Sequence, residues 1–223
     1  MIDTIPETRL ESPRLIVRPM QHEDLDAMDS WRPFTDPLYS LWNIPRSTPV
    51  SRDIWFVMHR SDPSRMWFAI ERITDGRVIG TLSLREIVER VSARLGISLG
   101  ADYVDLGYGS EALRTFLPHY FRTLDFQRLL LDVAAANQRA FHVYQKLGFI
   151  QTGSHHRNVP EGTDLSFLSQ PAYRELRPLF RRRFGRMQLQ FLDMALERSD
   201  WERSLAQDQR ERDTSFPAGK QED

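Results

Sequence analysis

The sequence predicts one mixed α/β domain whose central sheet is mostly antiparallel, with a single parallel pair. Three observations lead there. The first hundred residues read as a strand, two helices and then a three-stranded antiparallel meander. After them a glycine-flanked turn opens a helix that feeds a near-continuous apolar run, "RLLLDVAA" (128–135). Such a run marks a strand buried on both faces, and a strand–helix–strand crossover forces parallel pairing. Finally, no linker and no internal repeat divide the chain, so residues 1–203 form one domain and the polar residues 204–223 a disordered tail.

The elements follow in order. "RLIVRPM" (14–20) alternates and is β-branched, which suits a strand, and "HEDLDAMDSW" (22–31) places apolar residues at helical spacing behind acidic ones. A loop with Pro33, Pro37, Trp42, Pro45 and Pro49 comes next, then "SRDIWFVMHR" (51–60), a helix capped by Ser51. "RMWFAIER" (65–72) and "RVIGTLSLREIVER" (77–90) read as a hairpin turned by Asp75-Gly76, with "ARLGISLG" (93–100) as the third meander strand. "SEALRTFLPHYFRTL" (110–124) is helical, with a kink expected at Pro118. "NQRAFHVYQKLGF" (137–149) is a helix with Asn137 as N-cap and Gly148 in the left-handed position past its end. A long connection (154–178) leads to a last strand within "GRMQLQFLDMALER" (185–198).

Composition excludes several classes. Thirty basic residues face 31 acidic ones, a net charge of −1, so no global field attracts nucleic acid or an anionic membrane. With no cysteine there are no disulfides, thiolate metal sites or cysteine nucleophile. No apolar run approaches the roughly 20 residues of a membrane helix, and the first residues lack the order of a signal peptide. A soluble, cytoplasmic protein is the expectation. His155-His156 lacks companions at ligand spacing, so no metal is expected, and neither G-x-S-x-G nor H-E-x-x-H occurs. Six arginines lie between Arg174 and Arg186, and they read as a solvated face rather than a nucleic-acid surface.

The turn "VDLGYGSEAL" (104–113) carries the main functional signal. A glycine loop opening a helix offers main-chain N–H groups to a phosphate. "GYGSEA" also fits the start of a dinucleotide fingerprint, but "ADYVDL" separates it from its strand and a meander precedes it. A plain tight turn into a helix is the simplest alternative.

The order of the pieces resembles the GNAT superfamily of acetyl-CoA-dependent N-acetyltransferases, in particular its ribosomal-protein N-terminal acetyltransferase branch. The resemblance covers roughly residues 10–202. It is carried by "LESPRLIVRPMQHEDL", the loop "VDLGYGSEAL", the stretch "LDVAAANQRAFHVYQKLGF" and the final "FLDMALERSDW". Gly107 and Gly109 match the family's loop glycines, whereas Val104 stands at its Gln/Arg position and Asp105 where a small residue is common. The resemblance implies the GNAT fold and acetyl-CoA as co-substrate. It further implies pantetheine binding along Ile97, Ser98 and Leu99, and a pyrophosphate on Asp105, Leu106, Gly107, Tyr108, Gly109 and Ser110. Asn137 is a cap first and a cofactor contact second.

The resemblance also offers catalytic residues. Tyr144 lies where relatives keep the tyrosine that protonates the departing thiolate, although Phe141, Tyr144 and Leu147 equally form a core stripe. For the base, Asp132 on the buried strand, Glu86 near the end of its own strand and a water chain all stay open. The acceptor is a primary amine, either a protein N-terminus or a small molecule, in a pocket walled by candidates Trp31, Trp42, Trp55 and Phe56. A homodimer is compatible, and so is a degenerate module that binds coenzyme A without turnover, a reading motivated by Val104 and Asp105.

Overall fold

A computed structural model describes residues 8–43 and 48–215; Pro45 of the proline-rich loop and the tail beyond Ser215 lie outside the described residues. The strand β1 (Leu10–Glu11) leads into β2 (Leu15–Pro19), then α1 (Asp24–Ser30) and α2 (Pro49–Arg60). The meander is β3 (Met66–Arg72), β4 (Arg77–Val88) and β5 (Ser92–Leu99). The crossover uses α3 (Tyr108–Pro118), β6 (Arg128–Ala134) and α4 (Gln138–Lys146). β7 (Ile150–Asn158), β8 (Phe180–Arg183), β9 (Arg186–Glu197) and α5 (Arg198–Ser215) follow.

The nine strands of the described residues join one sheet in the order β1-β2-β3-β4-β5-β6-β9-β7, with β8 also paired to β9. Every pairing among them is antiparallel except β5 with β6, which is parallel. The mixed fold with one parallel pair is therefore as the crossover argument requires.

β4 is buried at every position from Val78 to Leu84, because α1 contacts it on one side while the main core lies on the other. That core joins Leu15, Phe68, Leu82 and Leu95 to Leu113 and Phe116 of α3, to Tyr120 just beyond it, and to Leu131 and Met194. Tyr120 is fully buried and satisfies its hydroxyl twice, donating to the Arg128 carbonyl at 2.7 Å and accepting from the Ala93 N–H at 2.9 Å. It thereby ties β5 to β6 at the head of the parallel pair.

Several local expectations need correction. α2 starts at Pro49 and is capped by Thr48, whose hydroxyl accepts from the Ser51 N–H at 3.2 Å; proline preset for the first helical position moves the cap back from Ser51. Pro118 does not merely kink its helix. It lacks an N–H, and the chain continues as a π turn (His119–Thr123) closed by the Leu124 N–H on the His119 carbonyl at 2.9 Å. The connection expected at 154–178 begins inside an edge strand, β7, whose residues are mostly polar and exposed. Arg181–Arg183 belong to β8, joined to β9 by a two-residue turn with Phe184 and Gly185 both at positive φ, the signature of a type I′ hairpin. Finally, α5 carries helix through Ser215 where composition alone predicts a disordered tail from 204. Trp201, stacked on Phe121 at 5.1 Å, anchors its start, and Arg198–Glu202 supports it at i,i+4 spacing.

Candidate active site

The site begins where the parallel ladder ends. β5 and β6 pair over only three residues, Ser92 with Arg128 through Arg94 with Leu130. Beyond that β5 keeps β4 as its partner and β6 keeps β9, so the two strands part. The opening is a cavity of about 380 Å³ with Ile97, Ser98 and Leu99 on one wall and Asp132, Val133 and Ala134 on the other. Its far end is closed by Val104, Asp105, Gly107, Gly109 and Ser110, and its α4 side by Asn137, Arg139, Ala140, Val143 and Tyr144. Eight of the ten positions expected to contact a cofactor thus come together. Leu106 and Tyr108 do not line the cavity: Leu106 is half exposed, and the Tyr108 ring lies under the Arg14 guanidinium at 4.5 Å.

The glycine loop is shaped by two left-handed residues, Asp105 (φ 61°) and Gly107 (φ 81°), and Gly107 immediately precedes α3. The N–H of Glu111 is the first to bond back along the helix, onto the Gly107 carbonyl at 3.0 Å, which leaves the Tyr108, Gly109 and Ser110 amides without intrahelical partners. Arg14 braces the loop from outside by donating to the Leu106 carbonyl at 3.1 Å and to the Glu111 carboxylate at 2.6 Å. Asp105 pairs its carboxylate with Arg139 at 2.9 Å, both residues lining the cavity, and the same guanidinium lies 4.4 Å from the centre of the Tyr39 ring. Asp105→Gly removes a negative charge and a strained αL aspartate and frees the Arg139 guanidinium from its partner. The expected result by calorimetry is tighter coenzyme A binding; weaker binding would make the Asp105–Arg139 pair part of the grip.

Tyr144 serves both the core and the cleft. Its ring meets Phe149 edge-on at 5.8 Å and the residue is 8% exposed, yet it lines the cavity. Among the described residues no side chain or carbonyl bonds its hydroxyl. Burial, and then the nearby charge of Asp132, raise its pKa above the ordinary tyrosine value, so the phenol holds its proton.

Asp132 also lines the cleft but is not the lone carboxylate a base would need. Its side chain is 3% exposed and contacts three guanidinium groups, Arg157 at 2.7 Å, Arg94 at 3.2 Å and Arg85 at 3.4 Å. Glu86 is not brought to the cleft. A register irregularity between Arg85 and Val88 puts it at φ 52°, and its largely exposed carboxylate pairs with Arg94 at 2.8 Å. Asn137 caps α4 as expected, its side-chain oxygen accepting from the Ala140 N–H at 3.2 Å, and Gly148 takes φ 92° past the end.

The family model described as "Acetyltransferase (GNAT) domain" matches residues 14–150. The chain belongs to the GNAT acetyltransferase family. A spermidine N(1)-acetyltransferase of Escherichia coli K12 is 28% identical over 139 residues, 61% of this chain and 73% of that protein. An uncharacterized N-acetyltransferase, p20, of Bacillus licheniformis is 28% identical over 151 residues, 65% of this chain and 83% of that protein. The crystal structure of a Vibrio cholerae spermidine N-acetyltransferase in complex with CoA and spermine shares the fold, with a TM-score of 0.63 at 20% identity over 85% of this chain and 99% of that one. None of these three is named for a ribosomal-protein substrate, so membership is established for the superfamily and not for the branch.

Acetyl-CoA is the co-substrate that goes with membership of the GNAT acetyltransferase family. Among the described residues no three His, Asp or Glu side chains are grouped to hold a metal, and no helix is long and apolar enough to cross a membrane. The outer wall of the cleft is aromatic: Phe34, Tyr39, Trp42 and Phe191. Only Trp42 of the four expected wall residues is among them. The Trp31 indole N–H donates to the Val78 carbonyl at 3.0 Å, while Trp55 and Phe56 pack with Met20, Leu25 and Trp67 in a separate cluster. Sequence reasoning missed Arg139 and Phe191. Arg139 sits two residues after the Asn137 cap, and Phe191 pairs with Ala134 across the β6–β9 ladder, a register no local pattern reveals.

Proposed function

We propose that this chain moves the acetyl group of acetyl-CoA onto a primary amine by direct attack, with no acyl-enzyme. The observation that carries this is the unpartnered, protonated phenol of Tyr144, beside the gap between β5 and β6 and below the glycine loop. The pantetheine arm runs along Ile97, Ser98 and Leu99 in the place a neighbouring strand would take. The pyrophosphate rests on the main chain from Asp105 to Ser110, at the positive end of α3. Because the Asn137 oxygen is engaged in capping, its amide nitrogen is the group that turns to the cofactor.

The amine nitrogen attacks the thioester carbonyl; the carbon–nitrogen bond forms and the carbon–sulfur bond breaks. A main-chain N–H of β5 faces the developing oxyanion. Tyr144 gives its proton to the leaving sulfur and regains one from solvent. Asp132 has its oxygens turned to three guanidinium groups, so the proton lost by the attacking ammonium leaves through water in the open cleft. The acceptor is a small amine or a peptide N-terminus. The relatives named for spermidine favour the small amine.

Two measurements test the reaction. Acetyl-CoA at 100 times its Kd adds about 2.7 kcal/mol of stability, which raises Tm by roughly 5–10 °C in a domain of this size. NADH leaves Tm unchanged. Release of free coenzyme A thiol in the presence of a primary amine then reports transfer. A shift without thiol release under any amine identifies a binding module, and no shift at millimolar acetyl-CoA removes the reading altogether.

A further inference from the structure

We propose that the acceptor amine carries a carboxylate on the same molecule, received by the guanidinium groups gathered at Asp132; this rests on the acetyl-transfer reaction proposed above. The gathering is a product of sheet register. Arg85 comes from β4, Arg94 from β5 and Arg157 from β7, and all three reach the Asp132 carboxylate of β6. Each guanidinium has five N–H donors, whereas one carboxylate offers about four lone-pair sites. Arg94 spends its Nε on Glu86, and Arg157 its Nε on the His155 ring at 3.0 Å. Among the described residues Arg85 has only the 3.4 Å contact with Asp132, at the long limit of a hydrogen bond. Donors exceed protein acceptors, and the three side chains remain 22–40% exposed.

The cluster reaches the cleft through Asp132 and Phe191; the three arginines stand next to these two and are not themselves among the residues that line it. Asp132 lines the cleft beside Tyr144, and Arg157 lies over the Phe191 ring at 4.6 Å, Phe191 being part of the cleft's outer wall. A planar guanidinium held at one edge by a buried carboxylate and on one face by an aromatic ring is preorganised for a second carboxylate. A polycation finds the opposite. Two carboxylates occur among the described residues lining the cleft, Asp105 and Asp132, and each already holds at least one guanidinium. Close to Asp132, Glu86 is paired with Arg94 and Asp193 with His155. Spermidine would meet no carboxylate there that is free of a basic partner.

The test uses the full chain and acetyl-CoA with a series of ω-amino acids, their carboxylates one to five carbons from the amine. The matching amides and spermidine complete the panel, and thiol release is the readout. At least one acid is expected to exceed its amide about tenfold or more in kcat/KM, with spermidine below it. Arg157→Gln and Arg85→Gln then shrink that acid-to-amide ratio toward one, mainly through KM. The proposal is overturned if spermidine outruns every acid, if amides match acids, or if the chain turns over an amide or spermidine but no acid. The acid–amide comparison in the unaltered chain stands even where an arginine variant fails to fold. Failure of the acetyl-transfer reading itself is recognised separately, by the absence of the acetyl-CoA melting shift or by the absence of thiol release with every amine of the panel.

Discussion

Tyr144→Phe is expected to lower kcat about tenfold or more, the lower end of what a positioned acid contributes, while coenzyme A affinity stays nearly constant. The substitution is conservative in the core, since the ring that meets Phe149 is kept and the hydroxyl removed has no partner among the described residues. Folding stability should therefore barely change, which separates a chemical loss from a structural one. The sign of the pKa shift adds a second reading of the same residue. Burial and the Asp132 charge favour the neutral phenol, so the acid form persists through the ordinary tyrosine pKa near 10. Activity of the unaltered enzyme should not fall through loss of that proton below about pH 10. An unchanged kcat in Tyr144→Phe would assign the residue to packing alone.

Asp132→Ala is expected to cost more in stability than in chemistry. Removing one member of a buried ion network costs roughly 3–5 kcal/mol because charges are left uncompensated. The three arginines here are partly exposed and water screens them, so about 2–3 kcal/mol is the appropriate figure. That corresponds to a Tm lowered by roughly 5–10 °C in a chain of this size. Restoring balance by adding Arg157→Met should recover part of the loss, since fewer like charges then face one another across β4, β5 and β7. A Tm within a degree of the unaltered chain would mean the guanidinium groups find other partners and Asp132 does not organise them.

What can be read in the sequence follows which interactions are local. α4 is legible at both ends because a cap and a left-handed glycine are decided within four residues. The parallel pair is legible because a crossover admits no other pairing. β7 and β8 are not: "IQTGSHHRN" and "FRRR" have little apolar alternation, and both are strands because β9 offers them a ladder. α5 beyond 204 lacks an apolar stripe, so only its anchoring at Trp201 and its helix-favouring composition show through. The same logic divides the site. The glycine loop and Tyr144 sit in contiguous motifs, whereas Arg85, Arg94, Asp132 and Arg157 lie on four strands and meet only through register. Asp132 alone reads as a base; with its three partners it reads as the hub of a network.

The parting of β5 and β6 after Arg94 and Leu130 has a bearing on how such a protein can diverge. A groove cut by the end of a ladder belongs to the backbone, and it is inherited along with the sheet whatever side chains decorate it. Val104, which stands in the glycine loop where the family pattern has a hydrogen-bonding side chain, is then a change of upholstery and not of frame. Lineages can exchange the residues that choose the amine, one strand at a time, without rebuilding the place where the thioester lies. What such a catalyst hands down is a piece of missing pairing.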